Sequence, residues 1–177
     1  MSIRRLVPGD ATVYRALMLE AYERHPDAFT SSTSERAVLP LTWWESRLAD
    51  GVKPTELVLG AFRESHLAGV AGLSFQTREK ARHKATLFGM YVPPMFRQSG
   101  VGGELVLAAL EHAKARDGVI LVQLTVTQGN DSAQALYERC GFVTFGVEPF
   151  AVAIGAGFVS KVHMWCKVGA APVAESA

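Results

Sequence analysis

The chain is short of charge imbalance, of cysteine and of long apolar runs, and each shortage removes a class of function. Its 18 Lys and Arg face 17 Asp and Glu, a formal net charge of +1. A nucleic-acid binder normally carries a strongly basic balance, so that class is set aside. Two cysteines, Cys140 and Cys166, sit in apolar or helical surroundings without metal-ligand spacing. Both read as ordinary buried thiols, and no metal site is expected. No apolar stretch approaches the ~18 residues of a membrane span, and no basic-then-apolar leader opens the N-terminus. The expectation is a soluble, cytoplasmic protein with no membrane partner. Internal repeats and low-complexity linkers are also missing. That leaves one domain over residues 1–168, followed by a frayed tail of small residues over 169–177. A chain of this length buries roughly two-thirds of its unfolded surface and needs no disulfide.

What is present is an alternation of strand and helix patterns. Ile3 to Val7 reads as a strand. Gly9-Asp10 offers a cap for a helix whose face carries Val13, Leu17 and Ala21 and which ends at His25-Pro26. Thr42-Trp43-Trp44-Glu45 has the capping-box form, and Gly51 closes the helix it starts. Glu56–Phe62 and His66–Gln76 read as strands joined by a short polar turn. A basic connection, Arg78 to Lys84, leads to a third strand, Leu87 to Val92, stopped by Pro93-Pro94. A helix from Val101 to about Gly118, a strand at 119–126, a short helix after Asn130 and strands near Phe142–Val147 and Lys161–Val168 complete the order. The glycine-rich run Ala151 to Gly157 reads as a mobile loop. Periodicity alone gives an α/β domain with a mixed sheet.

Two segments carry chemistry. The first is Arg97-Gln98-Ser99-Gly100-Val101-Gly102-Gly103, between the Leu87–Val92 strand and the helix of Leu105, Val106, Ala109, Leu110 and Ala113. A glycine-rich turn opening a helix presents unpaired backbone N–H groups at the positive end of the helix dipole, which suits a phosphate. Arg97 adds a charged donor. No glycine here precedes a Lys-Ser or Lys-Thr pair, so this is not a P-loop. Leu105 stands where a dinucleotide fold needs its third glycine. The second segment is Asn130-Asp131-Ser132-Ala133-Gln134-Ala135-Leu136-Tyr137-Glu138-Arg139-Cys140-Gly141-Phe142. Asn130 suits an N-cap, Ala133, Leu136 and Tyr137 share a helix face, and Gly141 is a helix stop.

Together these segments resemble the Gcn5-related N-acetyltransferase (GNAT) superfamily. Arg97 to Gly102 is similar to the family's (Gln/Arg)-x-x-Gly-x-(Gly/Ala) turn. Asn130 to Phe142 matches its Asn-x-x-Ala-x-x-Leu-Tyr-x-x-x-Gly-Phe segment at every defining position. The likeness is strong from about Ala85 to Gly146 and rests mostly on element order outside it. It implies an α/β fold with a mixed sheet of about seven strands and about four helices, in the order β-α-α-β-β-β-α-β-α-β-β. It implies acetyl-CoA as cosubstrate, its pyrophosphate wrapped by Arg97, Gln98, Ser99, Gly100, Val101, Gly102 and Gly103. The pantetheine arm would lie along the backbone of Met90, Tyr91 and Val92, where Gly89 marks a bulge or close approach. Asn130, Ala133 and Tyr137 complete the cofactor side, with Tyr137 as general acid to the departing thiolate.

The implied reaction is direct attack by an amine on the thioester, in a ternary complex. An amine of pKa ~10.4 needs about 4–5 kcal/mol to expose its lone pair at neutral pH unless a base or a desolvating pocket helps. Many relatives place a Glu on the strand before the phosphate turn; Leu87 to Val92 has no carboxylate, so the base is unassigned. Water, an early-helix residue and His83 remain open for it. The acceptor side would fall to Phe29, Trp43 and the 150–158 run, the last as a lid. Three readings stay open: a small-molecule amine N-acetyltransferase, a protein or peptide N-acetyltransferase, and a non-catalytic acyl-CoA sensor. The resemblance also allows a homodimer.

Overall fold

The computed structural model describes residues 1–49 and 51–170. The expected tail lies mostly outside them. In chain order the elements are β1 (Ser2–Arg5), α1 (Ala11–Arg24), α2 (Thr33–Ala37), α3 (Leu41–Arg47), β2 (Glu56–Arg63), β3 (His66–Phe75), β4 (Lys84–Tyr91), α4 (Val101–Lys114), β5 (Leu121–Thr127), α5 (Asp131–Arg139), β6 (Val143–Ile154) and β7 (Gly157–Lys167). The strands form one sheet in the order β1-β2-β3-β4-β5-β7-β6. Neighbours are antiparallel except β4 and β5, which run parallel and are joined through α4.

Each face of the sheet has its own core. The buried residues of α4 are Val101, Leu105, Val106, Ala109, Leu110 and Ala113, one stripe at helical spacing. They pack with Leu59, Leu73, Leu87, Val122 and Leu124. Fully buried aliphatic side chains such as Leu105 and Val106 each contribute about 1.5–3 kcal/mol relative to exposure. On the opposite face Leu17, Met18 and Ala21 of α1 and Trp44 of α3 pack on Val58, Val70 and Tyr91.

The expected mixed sheet of seven strands is present, and two finer expectations are corrected. Among the described residues there are five α-helices, the added one being α2, which forms in the segment after His25-Pro26. Ser32 caps it, accepting from Glu35 N at 3.2 Å while Glu35 accepts from Ser32 N at 2.9 Å. No apolar run follows this box, so it carries no hydrophobic periodicity. The box expected at Thr42–Glu45 does not form: Pro40 is the N-cap of α3, so Thr42 already lies within the helix, which ends at Arg47 and short of Gly51. Lastly, Ala151 to Gly157 is not a loop. β6 continues to Ile154, which pairs with Gly157 across a two-residue turn, with Gly155 at φ +57°.

Candidate active site

β4 and β5 begin as a parallel pair and then part. Lys84, Ala85 and Thr86 pair with Leu121, Val122 and Gln123, and the ladder stops there. Leu87–Tyr91 and Leu124–Thr127 diverge, leaving backbone groups along the inner edges of the split. A bulge at the same level turns β4: Phe88 faces Gly72 and Tyr91 faces Val70, so Gly89 and Met90 together oppose Ala71. Gly89 sits at φ +58°, a conformation that favours glycine and lets the strand bend. Into the split opens a cavity of about 310 Å³, walled by Leu87, Gly89 and Met90 of β4, Thr125 and Thr127 of β5, and Asn130, Ala133 and Tyr137. That volume is at the lower end of the range for small-molecule sites.

The glycine turn leaves from the C-terminal end of β4. Gln98 at φ +58° and Gly100 at φ +85° fold the chain back to start α4. Ser99 Oγ donates to Phe96 O at 2.6 Å and Arg63 Nη2 donates to Ser99 O at 2.8 Å, which hold the turn in shape. The first amide of the helical ladder is Glu104 N, donating to Gly100 O at 3.1 Å. The N–H groups of Val101, Gly102 and Gly103 therefore have no acceptor below them in α4 and open outward. Gln98, Ser99 and Gly100 are exposed. A Cβ on Gly102 would lie 3.1 Å from Leu136 and 3.2 Å from Met90, so the helix start closely approaches α5 and β4. Arg97 is turned onto the strand end: Nε donates to Val92 O at 2.9 Å, and an Nη nitrogen lies 2.9 Å from His25 Nε2.

α5 brings Asn130 and Tyr137 to the split. The Asn130 side chain accepts from Ala133 N at 3.3 Å and caps the helix. Tyr137 stacks edge-on against Phe142 and its hydroxyl donates to Met90 Sδ at 3.5 Å, a weak acceptor. Burial pushes the Tyr137 phenol up to about 12. The hydroxyl therefore keeps its proton at neutral pH and is free to turn to a better acceptor. Tyr91 is buried in the α1 core with its hydroxyl donating to Glu20 at 3.0 Å, and it does not wall the cavity.

Phe29 and Trp43 both line the cavity, on the α1–α3 side. Phe150 and Phe158 do not; both are exposed on the β6–β7 hairpin. His83 lies at the paired end of β4, where its carbonyl accepts from Ile120 N and Leu121 N, and its side chain is not in the cavity wall.

The sequence reading missed the cavity's cations: Arg36, Arg47 and Lys161. In the sequence pattern Lys161 opens the last strand. β7 begins at Gly157, so Lys161 lies mid-strand, paired with Thr127, and is only 6% exposed. A lysine opening an apolar run looks like a strand end, and no local signal marks it as interior. The cavity wall holds no Asp or Glu among the described residues, and among those residues there is no cluster of potential metal ligands. Burial also pushes the Cys140 and Cys166 thiols up, away from reactive thiolate.

Comparison with known proteins agrees with this geometry. Residues 14–142 match the model of the acetyltransferase (GNAT) family. The chain is 26% identical over 144 residues to mycothiol acetyltransferase of Salinispora arenicola, covering 80% of this chain and 44% of that protein. It is 34% identical over 70 residues to the ribosomal protein bS18 alanine N-acetyltransferase of Haemophilus ducreyi, covering 40% of this chain and 48% of that one. The chain thus spans about half the length of the curated relatives it matches. Among solved structures, a GNAT-family acetyltransferase from Streptococcus pneumoniae superposes with a TM-score of 0.81 at 25% identity, covering 94% of this chain and 99% of the other. A candidate acetyltransferase from Salmonella typhimurium, solved with its cofactor acetyl-CoA, gives 0.77 at 21% identity over 98% of each chain. At that identity the likeness is one of fold.

Proposed function

The chain belongs to the acetyltransferase (GNAT) family, a family of acyltransferase enzymes, and from that premise we propose that it transfers the acetyl group of acetyl-CoA directly to the amine of a small molecule. The observation that carries this reading is a juxtaposition. The split between β4 and β5 opens at the end of β4 from which the glycine turn leaves, and the Tyr137 hydroxyl lies at that split.

The residues fit the cosubstrate. The amides of Val101, Gly102 and Gly103, with the turn from Arg97 to Gly100, would hold the pyrophosphate. Backbone groups of Met90, Tyr91 and Val92 would take the pantetheine amides as an added strand. The Val92 carbonyl already accepts from Arg97, so that residue offers only its N–H. An amide along this edge would also hold the developing oxyanion of the thioester. Asn130 and Ala133 wall the cavity beside Tyr137. Residues 1–168 serve as one catalytic domain in this reading.

Protons move at two places. With no carboxylate in the cavity wall, the amine has no side-chain base of the usual kind. Arg36, Arg47 and Lys161 supply an alternative, since like charges and desolvation disfavour an ammonium and favour entry of the neutral amine. At the leaving group, Tyr137 is a hydrogen-bond donor to the sulfur. Full transfer from a phenol near 12 to a thiolate of ordinary pKa ~8.5 is uphill, so donation stabilises the sulfur first and solvent supplies the proton later.

The test is acetyl-CoA-dependent release of free CoA across pools of amino acids, polyamines, aminoglycosides and short peptides. A no-acceptor control and a correction for the thiols of Cys140 and Cys166 are needed. Release above the control with a small-molecule pool supports the reading. Release with peptides alone, or none while acetyl-CoA binds, refutes it.

A further inference from the structure

The cavity's charge is one-sided, and its most buried member is Lys161. Its Nζ donates to Ala28 O and to Thr127 Oγ1, both at 3.0 Å, and Thr127 Oγ1 in turn donates to Asp27 O at 2.6 Å. These partners are all neutral oxygens. An ammonium has three N–H groups, so one remains for the cavity. Arg36 uses an Nη nitrogen on Ser31 Oγ at 2.7 Å and lies 4.7 Å from the Trp43 ring centroid. Arg47 lies 5.0 Å from the same centroid and is paired with Glu56.

The nearby carboxylates stand outside the cavity wall. Glu148, in register with Lys161, bonds His163; Glu35 accepts from Ser32 N at the start of α2; Glu20 takes Arg24 and the Tyr91 hydroxyl; Asp27 accepts from Thr127 through its main-chain oxygen. Burying a lysine with no carboxylate in hydrogen-bond contact costs free energy, and desolvation lowers the Lys161 pKa against the weaker opposing pull of the Asp27 and Glu148 charges. A ligand anion would offset that cost.

We infer that the acceptor is an amine carrying a carboxylate, of the amino-acid class, with its carboxylate taken by Lys161 and Arg36 and its amine directed to the split beside Tyr137. The inference rests on the transferase reading above. Three observations place the anion on the acceptor side. Lys161 and Thr127 lie on the face of α1–α3, because Val122, Leu124 and Val126 of β5 pack on the α4 side. Arg36 and Arg47 come from α2 and α3 themselves. The phosphate turn opens α4, whose core lies on the other face. The same cations repel polyamines and aminoglycosides, which bring several positive charges and no anion.

The experiment compares kcat/KM for amino acids, for the matching amino-acid amides and for spermidine, in the wild type and in Lys161→Met and Lys161→Arg. Acids should exceed their amides by about tenfold or more, the scale of a buried charge-assisted hydrogen bond. Lys161→Met should raise KM for the acids by about tenfold more than it raises KM for any amide that turns over, and be partly rescued by Lys161→Arg. A merely structural Lys161 would move acids and amides together, and a base would lower kcat for both; either result overturns the proposal. Turnover of spermidine or amides as fast as the acids also overturns it while leaving the transferase reading intact. If nothing turns over, calorimetry on the CoA-saturated protein decides. N-acetyl amino acids binding about tenfold tighter than their amides, with the difference lost in Lys161→Met, would uphold the anion site and sink the transferase reading. No such preference would sink the inference as well.

Discussion

On the α4 face of the sheet, the groups offered to a ligand are backbone amides at a helix start and along a split strand. On the α1–α3 face they are side chains: Arg36, Arg47 and Lys161, set among Tyr14, Tyr22, Phe29 and Trp43. The first kind of site depends on φ and ψ over a few consecutive residues and suits a group that every turnover presents in the same form. The second depends on which side chains three distant segments bring together, so it can change with the acceptor while the sheet stays the same. A family can thus keep one half constant and vary the other.

The comparison can be broken at Trp44, which is 1% exposed and both packs the α1–α3 core and walls the cavity. Trp44→Ala should cost about 3–5 kcal/mol of stability in urea unfolding. Acetyl-CoA affinity of the folded protein should change little while acceptor KM rises; an equal loss on both sides would show that the two faces are not separable. Next in size is Gly100→Asp. A left-handed φ costs a non-glycine residue about 1–2 kcal/mol, and the carboxylate would face the phosphates. Acetyl-CoA binding by calorimetry should weaken about a hundredfold, and an unchanged affinity would remove the turn from the site. Tyr137→Phe should leave that affinity intact and lower kcat about tenfold or more. An unaffected rate would end the donor role.

The smallest effect sharpens the comparison through pH. Burial holds Tyr137, at the split, and Tyr14, in the α1–α3 core, at about 12, against ~10 when unfolded. A raised folded pKa means that the contribution is fully present below pH ~10 and is lost as pH climbs toward 12. At pH ~10.5 Tyr137 alone should account for about 1 kcal/mol of lost stability, measured by denaturation against pH. Tyr137→Phe should remove that increment while the Tyr14 increment persists.

Legibility in the sequence followed the same division. The turn from Arg97 to Gly103, the Asn130 cap and the offset of Tyr137 lie within short windows, where glycine conformation and helix spacing speak for themselves. Gly89 could be read as a bulge because a glycine inside a bulky strand is locally odd. α2 was not legible, because four polar residues and one alanine carry no hydrophobic periodicity. Nor was the β6–β7 hairpin, whose glycines mimic a loop until the strands pair.

The sequence by itself determined the alternation of elements, the glycine turn and the tyrosine helix, because each follows from backbone constraints among near neighbours. Only the tertiary structure decided that Lys161 is interior and that it meets Ala28, 133 residues away, while Thr127 closes on Asp27, 100 residues away. It alone decided that the cavity wall holds cations without a carboxylate. Charge is balanced along the chain, and only the packing of strands and helices sorts one sign into a single enclosed space.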